Sequence, residues 1–185
     1  MYKKRARNIA LNLWHSFLHL AHWQPTGDNL DAIKHIIFVC KGNICRSAFA
    51  EHYSKIFAHD LDLTVNSCGL DVSRKVCSPL EAVKAAEEFH VDLRENYAKG
   101  ISACDVSDAD LLVAMDFGLY RRLIKRFPEK KNNIVLLRSF APWPEFLLCD
   151  IADPYGGDVQ EFKYCFRTMK RALDVLHDRL RRARS

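Results

Sequence analysis

The feature that most constrains this chain is an apolar run that ends in a cysteine and passes directly into a small loop. Residues 36–40 read Ile-Ile-Phe-Val-Cys, and residues 41–47 read Lys-Gly-Asn-Ile-Cys-Arg-Ser. A buried strand followed by a Gly/Asn loop and a helix start brings several backbone N–H groups to one point, which suits a tetrahedral oxyanion. The cysteine at the base of such a loop predicts a thiolate nucleophile.

The residues of the loop fit a close approach between backbone and ligand. Gly42 can adopt a positive φ without steric cost, and Asn43 is the non-glycine residue that best tolerates the left-handed region. Ser47 is predicted to be the N-cap of the following helix, with Glu51 in the first turns of that helix. Arg46 carries a planar guanidinium that can bind two oxygens of one phosphate group. The stretch therefore predicts a phosphate-binding loop.

Cleavage of a phosphate ester at this loop requires charge neutralisation and a proton donor. The positive field of Arg46 and of the loop N–H groups neutralises the phosphate and favours the thiolate form of Cys40. One carboxylic acid can protonate the leaving group in the first step and activate water in the second. Asp153, in a turn-rich stretch before the last predicted helix, is the predicted acid and base, and Asp150 is its competitor.

The sequence of residues 40–47 resembles the signature of the low-molecular-weight protein tyrosine phosphatases. The resemblance extends over about residues 35 to 180. One departure is Ala48, where the family usually has proline, a residue that is pre-organised at the first helical position. Three further stretches fall where the supporting motifs of the family are expected: Asn66-Ser67, Met115-Asp116 and Asp153-Pro154-Tyr155-Gly156.

The resemblance implies hydrolysis of phosphotyrosine through a phosphocysteine intermediate. It implies that Cys40 is the nucleophile, that Arg46 binds phosphate and that Asp153 is the general acid and base. Tyr155 matches a rim aromatic of the family, whereas the second rim aromatic is not evident near Asp71 and Val72. The other implied site residues bind substrate (Lys41, Gly42, Asn43, Ile44, Cys45, Ser47) or support the loop (Ser67, Asp116).

Two of these residues have alternative roles. Asp116 resembles a family aspartate that supports the site through hydrogen bonds, but it is equally well read as a plain N-cap of the next helix. Cys45 lies five residues after Cys40, where a second thiol can form a protective disulfide with an oxidised nucleophile, or it is a small buried apolar residue. The remaining five cysteines are predicted to be core residues: Cys68, Cys77, Cys104, Cys149 and Cys165.

The order of elements predicts an α/β fold, a single domain with a four-stranded parallel sheet flanked by helices. Strands are predicted near 35–40, 62–66, 110–115 and 133–138, and helices near 47–59, 78–90, 116–127 and 158–181. Ligands of such folds bind beyond the carboxyl ends of the strands, where the 40–47 loop emerges. The last helix presents one apolar face, formed by Phe162, Cys165, Phe166, Met169, Leu173, Leu176 and Leu180.

Composition limits the classes of protein that this chain can belong to. Its 185 residues, 49% of them apolar, suffice for one domain with a real core. Seven cysteines without disulfide-like spacing indicate reduced thiols in a cytoplasm, and the start of the chain is a poor signal peptide. The eight histidines show no metal-ligand spacing, so neither a metal nor a cofactor is expected. The basic residues of 163–185 are read as a solvated helix end, and no nucleic acid partner is expected.

Residues 1–34 exceed what the predicted catalytic domain, residues 35–185, needs. Apolar residues recur at helical spacing from Ile9 to Ala21, and Pro25-Thr26-Gly27-Asp28 reads as a stop and linker. We therefore expect an amphipathic N-terminal extension. Through residues 1–24 it is expected to dock on the domain, to mediate self-association or to contact a membrane surface.

Three other functions remain open at this stage. An arsenate reductase of the same fold needs a redox cysteine relay in the region of Met115-Asp116, where this chain has no thiol. A protein arginine phosphatase favours threonine where this chain has Ile44. A catalytically silent phosphopeptide-binding module is expected to lack the nucleophile or the acid. The expected partner is a phosphotyrosine protein substrate, with a tyrosine kinase as one candidate.

Overall fold

The computed structural model describes residues 30–185. The predicted N-terminal helix and most of its linker therefore lie outside the described residues. The described part begins with a short 3-10 turn, Leu30–Ala32, and Ile33 is already buried in the core. Near the other terminus, the guanidinium of Arg184 donates a hydrogen bond to the carbonyl of Ile33.

The described residues form the predicted parallel sheet with helices around it. Its strands are β1 (His35–Cys40), β2 (Thr64–Gly69), β3 (Leu111–Ala114) and β4 (Ile134–Leu136), in the order β2-β1-β3-β4. Its helices are α1 (Arg46–Ala58), α2 (Leu80–Glu87), α3 (Phe117–Arg126) and α4 (Val159–Ala183). Each neighbouring pair of strands is parallel, which confirms the predicted fold class.

Four predicted elements had a boundary that was wrong by two or more residues, and one of them is α4, which ends at Ala183 instead of residue 181. Strand β2 spans 64–69 instead of 62–66, because a turn closed by Asp62 at φ 43° delays it and pairing of Gly69 with Cys40 extends it. Helix α2 spans 80–87 instead of 78–90, since Pro79 is extended and precedes it. Strand β4 ends at Leu136, after which residues 137–140 form a 3-10 turn.

The core explains why β1 reads as a continuous apolar run. Residues 36–40 are all buried, as expected for a central parallel strand that is covered on both faces. The predicted apolar face of α4 is entirely buried, and Phe166 stacks on Phe49 of α1 with ring centroids 4.2 Å apart. The central strand is thus buried, and the apolar face of α4 packs on α1.

The register of the strands places the segments that carry the predicted site residues at one edge of the sheet. Cys40 pairs with Gly69, and Val39 pairs with both Cys68 and Ala114. Because the strands are parallel, the segments that follow β1, β2 and β3 leave the sheet side by side. None of the helices in residues 30–185 has the length and hydropathy needed to cross a membrane.

Candidate active site

Cys40 lies at the base of the loop, with its sulfur surrounded by donors. The N–H of Asn43 donates to Cys40 Sγ at 3.1 Å, and the hydroxyl of Ser47 donates to it at 3.0 Å. Asn43 adopts φ 55°, the left-handed conformation that the sequence predicted for it. Gly42 does not adopt a positive φ, and a Cβ there would make only an ordinary 3.7 Å contact with Ile44. Gly42 instead contributes an open, side-chain-free stretch to the cavity wall.

Ser47 is not the N-cap of α1, so that prediction was wrong. The helix begins at Arg46, and Cys45 occupies the N-cap position without a side-chain hydrogen bond. The Ser47 hydroxyl is wholly buried and points at the sulfur of Cys40 and the carbonyl of Cys68, 3.3 Å away. Ser47 therefore contacts the sulfur of Cys40 and does not cap the helix.

A buried hydrogen-bond network fixes the shape of the loop. The Asn43 amide donates to Ser47 Oγ at 3.0 Å and to Ser67 Oγ at 2.6 Å, while its oxygen accepts from the N–H of Lys99 at 2.8 Å. Ser67 donates to Glu51 Oε2 at 2.5 Å. A carboxylate only accepts, so Glu51 fixes Ser67 as a donor. With both Asn43 amide hydrogens used, the proton of Ser47 is left free to face Cys40.

Glu51 and Lys99 are site residues that sequence reasoning missed. Burial works against the ionised form of Glu51, but hydrogen bonds from Lys55 and Ser67 and the charge of Lys99 outweigh it and lower its pKa. Lys99 Nζ lies 3.1 Å from Glu51 Oε2. A glutamate in the second turn of a helix reads as a solvated residue, and only the tertiary structure shows that it is buried.

The guanidinium of Arg46 donates hydrogen bonds to three protein acceptors, and its Nε has no acceptor in the protein. Its Nη1 donates to Asp116 Oδ2 at 2.9 Å and to the carbonyl of Ile151 at 3.0 Å, and its Nη2 donates to Asp153 Oδ2 at 2.8 Å. Burial alone would lower the pKa of Arg46, but Asp153, Cys40 and Asp116 raise it. The buried Nε has no protein partner. That N–H can donate to a phosphate oxygen.

Asp116 combines both of the roles that the sequence left open. Its Oδ1 accepts from the N–H of Leu119 at 2.9 Å, so it caps α3, while its Oδ2 binds Arg46. Asp150, the competitor for the acid role, accepts from the N–H of Phe117 at 2.7 Å and stabilises the start of α3. Asp153 lines the cavity, whereas Asp150 does not.

The cavity above Cys40 has a volume of about 210 Å³. Tyr155 stands at its rim with 67% of its surface exposed. Asp71 forms another part of the wall and pairs with Arg122 Nη1 at 2.9 Å. Sequence reasoning did not assign a role to Asp71. The cavity is lined by Cys40, Lys41, Gly42, Ile44, Cys45, Asp71, Asp153 and Tyr155.

The remaining cysteines divide into buried and exposed thiols. Cys45 is buried, and its burial raises its pKa strongly, so it stays protonated. Cys68, Cys149 and Cys165 are buried as predicted. The prediction was wrong for Cys77, which is exposed in the loop between β2 and α2, and Cys104 is only partly buried. In residues 30–185 there is no cluster of three or more His, Cys, Asp or Glu side chains that could hold a metal ion.

A parallel α/β sheet that brings a cysteine and a carboxylate to one cavity, with a buried arginine paired to that carboxylate, defines a cysteine-based phosphatase. Residues 35–185 match the model of the low molecular weight phosphotyrosine protein phosphatase family, and the chain belongs to that family.

Solved and curated relatives agree with this assignment. The low molecular weight protein-tyrosine phosphatase A of Mycobacterium tuberculosis is 32% identical over 151 residues, covering 78% of this chain and 90% of that protein. The protein-arginine-phosphatase of Bacillus subtilis is 28% identical, covering 80% of this chain and 98% of that protein. The crystal structure of the T. tengcongensis low molecular weight protein tyrosine phosphatase superposes with a TM-score of 0.70 at 28% identity, covering 79% of this chain and 99% of that one.

Proposed function

We propose that this phosphatase hydrolyses phosphotyrosine in proteins, with Cys40 as nucleophile, Arg46 as phosphate ligand and Asp153 as general acid and base. The observation that carries the proposal is the Cys40 sulfur, which accepts hydrogen bonds from Asn43 and Ser47 directly below the cavity. Donors around a sulfur favour its thiolate form.

In the first step the thiolate attacks phosphorus and the bond to the tyrosyl oxygen breaks. The Nε of Arg46 and the N–H groups of residues 41–46 bind the nonbridging oxygens, which carry the charge in the transition state. Asp153 donates its proton to the departing phenolate. It is placed for this at the cavity wall, next to the rim residue Tyr155, whose ring can stack on the phenol.

In the second step water attacks the phosphocysteine. Asp153, now ionised, takes a proton from that water, and the bond between sulfur and phosphorus breaks. The electron pair returns to Cys40, where the hydroxyl of Ser47 and the N–H of Asn43 stabilise it. Inorganic phosphate is then released.

Ile44 supports phosphotyrosine over phosphoarginine as the substrate. It lines the cavity at the position where arginine phosphatases favour threonine. Phosphoarginine is nevertheless the second candidate, because one relative is a protein-arginine-phosphatase at 28% identity. Arsenate reduction has less support, since Asp116 holds Arg46 where a relay thiol would be needed.

A peptide panel tests this proposal. Purified enzyme is assayed on phosphotyrosine, phosphoarginine and phosphoserine versions of one peptide, and we expect hydrolysis of the first alone. Ile44→Thr should raise the ratio of phosphoarginine to phosphotyrosine turnover. Cys40→Ser should abolish turnover and still bind vanadate. Faster hydrolysis of phosphoarginine by the unmodified enzyme would refute the substrate assignment, and turnover by Cys40→Ser would refute the nucleophile.

Further proposals concern the setting of the enzyme. We propose that it acts in the cytoplasm on phosphoproteins, with a tyrosine kinase as one candidate substrate and no role for nucleic acid. Residues 35–185 are proposed to be the catalytic domain, and residues 1–34 an extension. Through residues 1–24 the extension is proposed to dock on the domain, to mediate self-association or to make peripheral membrane contact. Removal of residues 1–24, followed by sedimentation and vesicle binding, tests the role of the extension, and we expect turnover of p-nitrophenyl phosphate to change only a few-fold.

A further inference from the structure

A second pair of thiols lies outside the catalytic cavity. Cys68 is a wholly buried residue of β2, and Cys104 follows the 3-10 turn Ile101–Ala103 and is partly exposed. The two thiols are neighbours, close enough for each to shift the pKa of the other. Cys104 Sγ also lies 3.6 Å from the carbonyl oxygen of Ser67, the residue before Cys68. Neither thiol lines the cavity above Cys40.

Backbone contacts hold the two cysteines in this arrangement. The N–H of Gly69 donates to the carbonyl of Lys99 at 2.8 Å, and Gly69 and Gly100 form a parallel bridge. The segment 99–104 therefore lies against the end of β2. The position of Cys104 near Cys68 thus follows from the contact between the two backbones.

The two thiols differ in ionisation and access. The interaction with Cys68 and the charge of Lys99 outweigh burial and the charge of Glu51, and they lower the pKa of Cys104. The interaction with Cys104 and burial raise the pKa of Cys68 strongly. The pair thus combines a partly exposed thiol that is shifted towards its thiolate form with a buried thiol that is shifted towards its protonated form. Reactive redox cysteines share this combination.

We propose that Cys104 and Cys68 form a redox site that is separate from the nucleophile and that takes hydrogen peroxide as its oxidant. The Cys104 thiolate attacks one peroxide oxygen, the O–O bond breaks, and hydroxide leaves and is protonated. The sulfur of Cys68 then attacks the sulfenic acid of Cys104, losing its proton as the S–O bond breaks and water leaves. Two thiols and one peroxide give one disulfide and two waters, and an added thiol reverses the reaction.

The site is connected to the phosphate loop through two residues. Ser67 and Lys99 both hold Asn43, through a side chain and a backbone N–H respectively. A disulfide requires Cys104 to leave the Ser67 carbonyl and approach Cys68. Since Cys68 is fixed in the sheet, the movement falls on segment 99–104, which includes Lys99. We therefore expect oxidation of the pair to lower kcat several-fold.

Tryptic digestion separates the relevant cysteines. Cleavage after Lys and Arg places Cys68 in peptide 56–74 and Cys104 in peptide 100–121, while Cys40 and Cys45 fall in peptides 35–41 and 42–46. The full chain is treated with hydrogen peroxide in the presence of inorganic phosphate, which occupies the loop of Cys40. Free thiols are then alkylated, and disulfide-linked peptides are identified by mass spectrometry with and without dithiothreitol.

We expect a dithiothreitol-sensitive link between peptides 56–74 and 100–121 and a matching several-fold loss of kcat. Cys104→Ser should lose both effects and keep its basal kcat within two-fold, while Cys77→Ser, which removes an exposed thiol, should retain both. Absence of the link when Cys104 is visibly oxidised or left unmodified would overturn the proposal. So would an unchanged kcat in protein whose link is complete.

Discussion

Arg46 and Asp153 form an ion pair inside the site, with Nη2 of the arginine 2.8 Å from Oδ2 of the aspartate. The guanidinium is 3% exposed and the carboxylate 42% exposed, so the pair lies at the boundary between the core and the cavity. A phosphate that binds the Nε edge of Arg46 competes with this carboxylate for Nη2. We therefore expect substrate binding to be coupled to movement of Asp153 towards the leaving group.

The substitution Asp153→Asn should separate the role of Asp153 as general acid from its competition with phosphate for Arg46. Loss of the acid should lower kcat by about 100-fold on aryl phosphates with poor leaving groups and less on good ones. Loss of the competing charge should tighten inhibition by inorganic phosphate several-fold. Steady-state kinetics with a series of phenols provides both measurements.

Asp116→Asn is the matched control, because Asp116 binds the same guanidinium through Nη1. It should weaken phosphate inhibition by releasing Arg46, and its kcat should fall equally for good and poor leaving groups. Equal leaving-group dependence in both variants would argue against Asp153 as the acid.

Ser47→Ala should slow the second step in particular. It removes the hydroxyl that donates to Cys40 Sγ at 3.0 Å, which stabilises the departing thiolate. We expect kcat to fall about tenfold with a pre-steady-state burst of p-nitrophenol, since loss of one such donor costs on that order or more. Ser54→Ala on the same helix should lower stability and show no burst. A Ser47→Ala enzyme without a burst would contradict the role.

The substitution Glu51→Gln should change the reactivity of Cys40 through the buried hydrogen-bond network of the loop. A glutamine amide can donate to Ser67, which removes the constraint that turns the Ser47 proton towards the sulfur. We expect slower alkylation of Cys40 by iodoacetate at pH 6 and a kcat lower by about tenfold. Lys55→Met, which removes only a half-exposed partner of Glu51, should change both by less than about two-fold. Equal effects of the two substitutions would refute the network.

The substitution Gly69→Ala should displace the backbone of the phosphate-binding loop by a steric clash. A Cβ at Gly69 would lie 2.7 Å from the carbonyl oxygen of Lys41 and 2.9 Å from the carbonyl carbon of Gly42. The backbone has to shift, at a cost of about 2 kcal/mol in the free energy of unfolding and with a large loss of kcat/KM. Gly100→Ala is the control, because its nearest neighbour would be Val72 Cβ at 3.7 Å. Thermal melts and p-nitrophenyl phosphate assays compare the two.

His177 should make stability depend on pH. Burial between α1 and α4 lowers its pKa from 6.5 to about 4. Between those values the unfolded chain binds the extra proton, so stability is present above pH 6.5 and is lost as pH falls to about 4, by about 3 kcal/mol. His177→Asn should flatten this slope in urea titrations at each pH. Equal slopes in both proteins would contradict the assignment.

The sequence by itself determined the local features of this protein. The loop at 40–47 predicted a nucleophile, a phosphate ligand and a left-handed Asn43 from residue type and short spacing, and the structure confirms the conformation of Asn43. The apolar face of α4 and the order of strands and helices were predicted from hydrophobic periodicity, which does not depend on how the elements pack. The Asp-Pro stretch pointed to Asp153 for the same reason.

Contacts between distant segments were decided only by the tertiary structure. Ser47 looked like an N-cap, but the register of β1 beside β2 turns its hydroxyl towards Cys40 and Cys68. Glu51 and Lys99 are 48 residues apart and meet only because segment 99–104 packs on the end of β2. Asp116 serves two partners because its two oxygens face different elements. Burial and partner choice arise from the whole fold, so no local pattern encodes them.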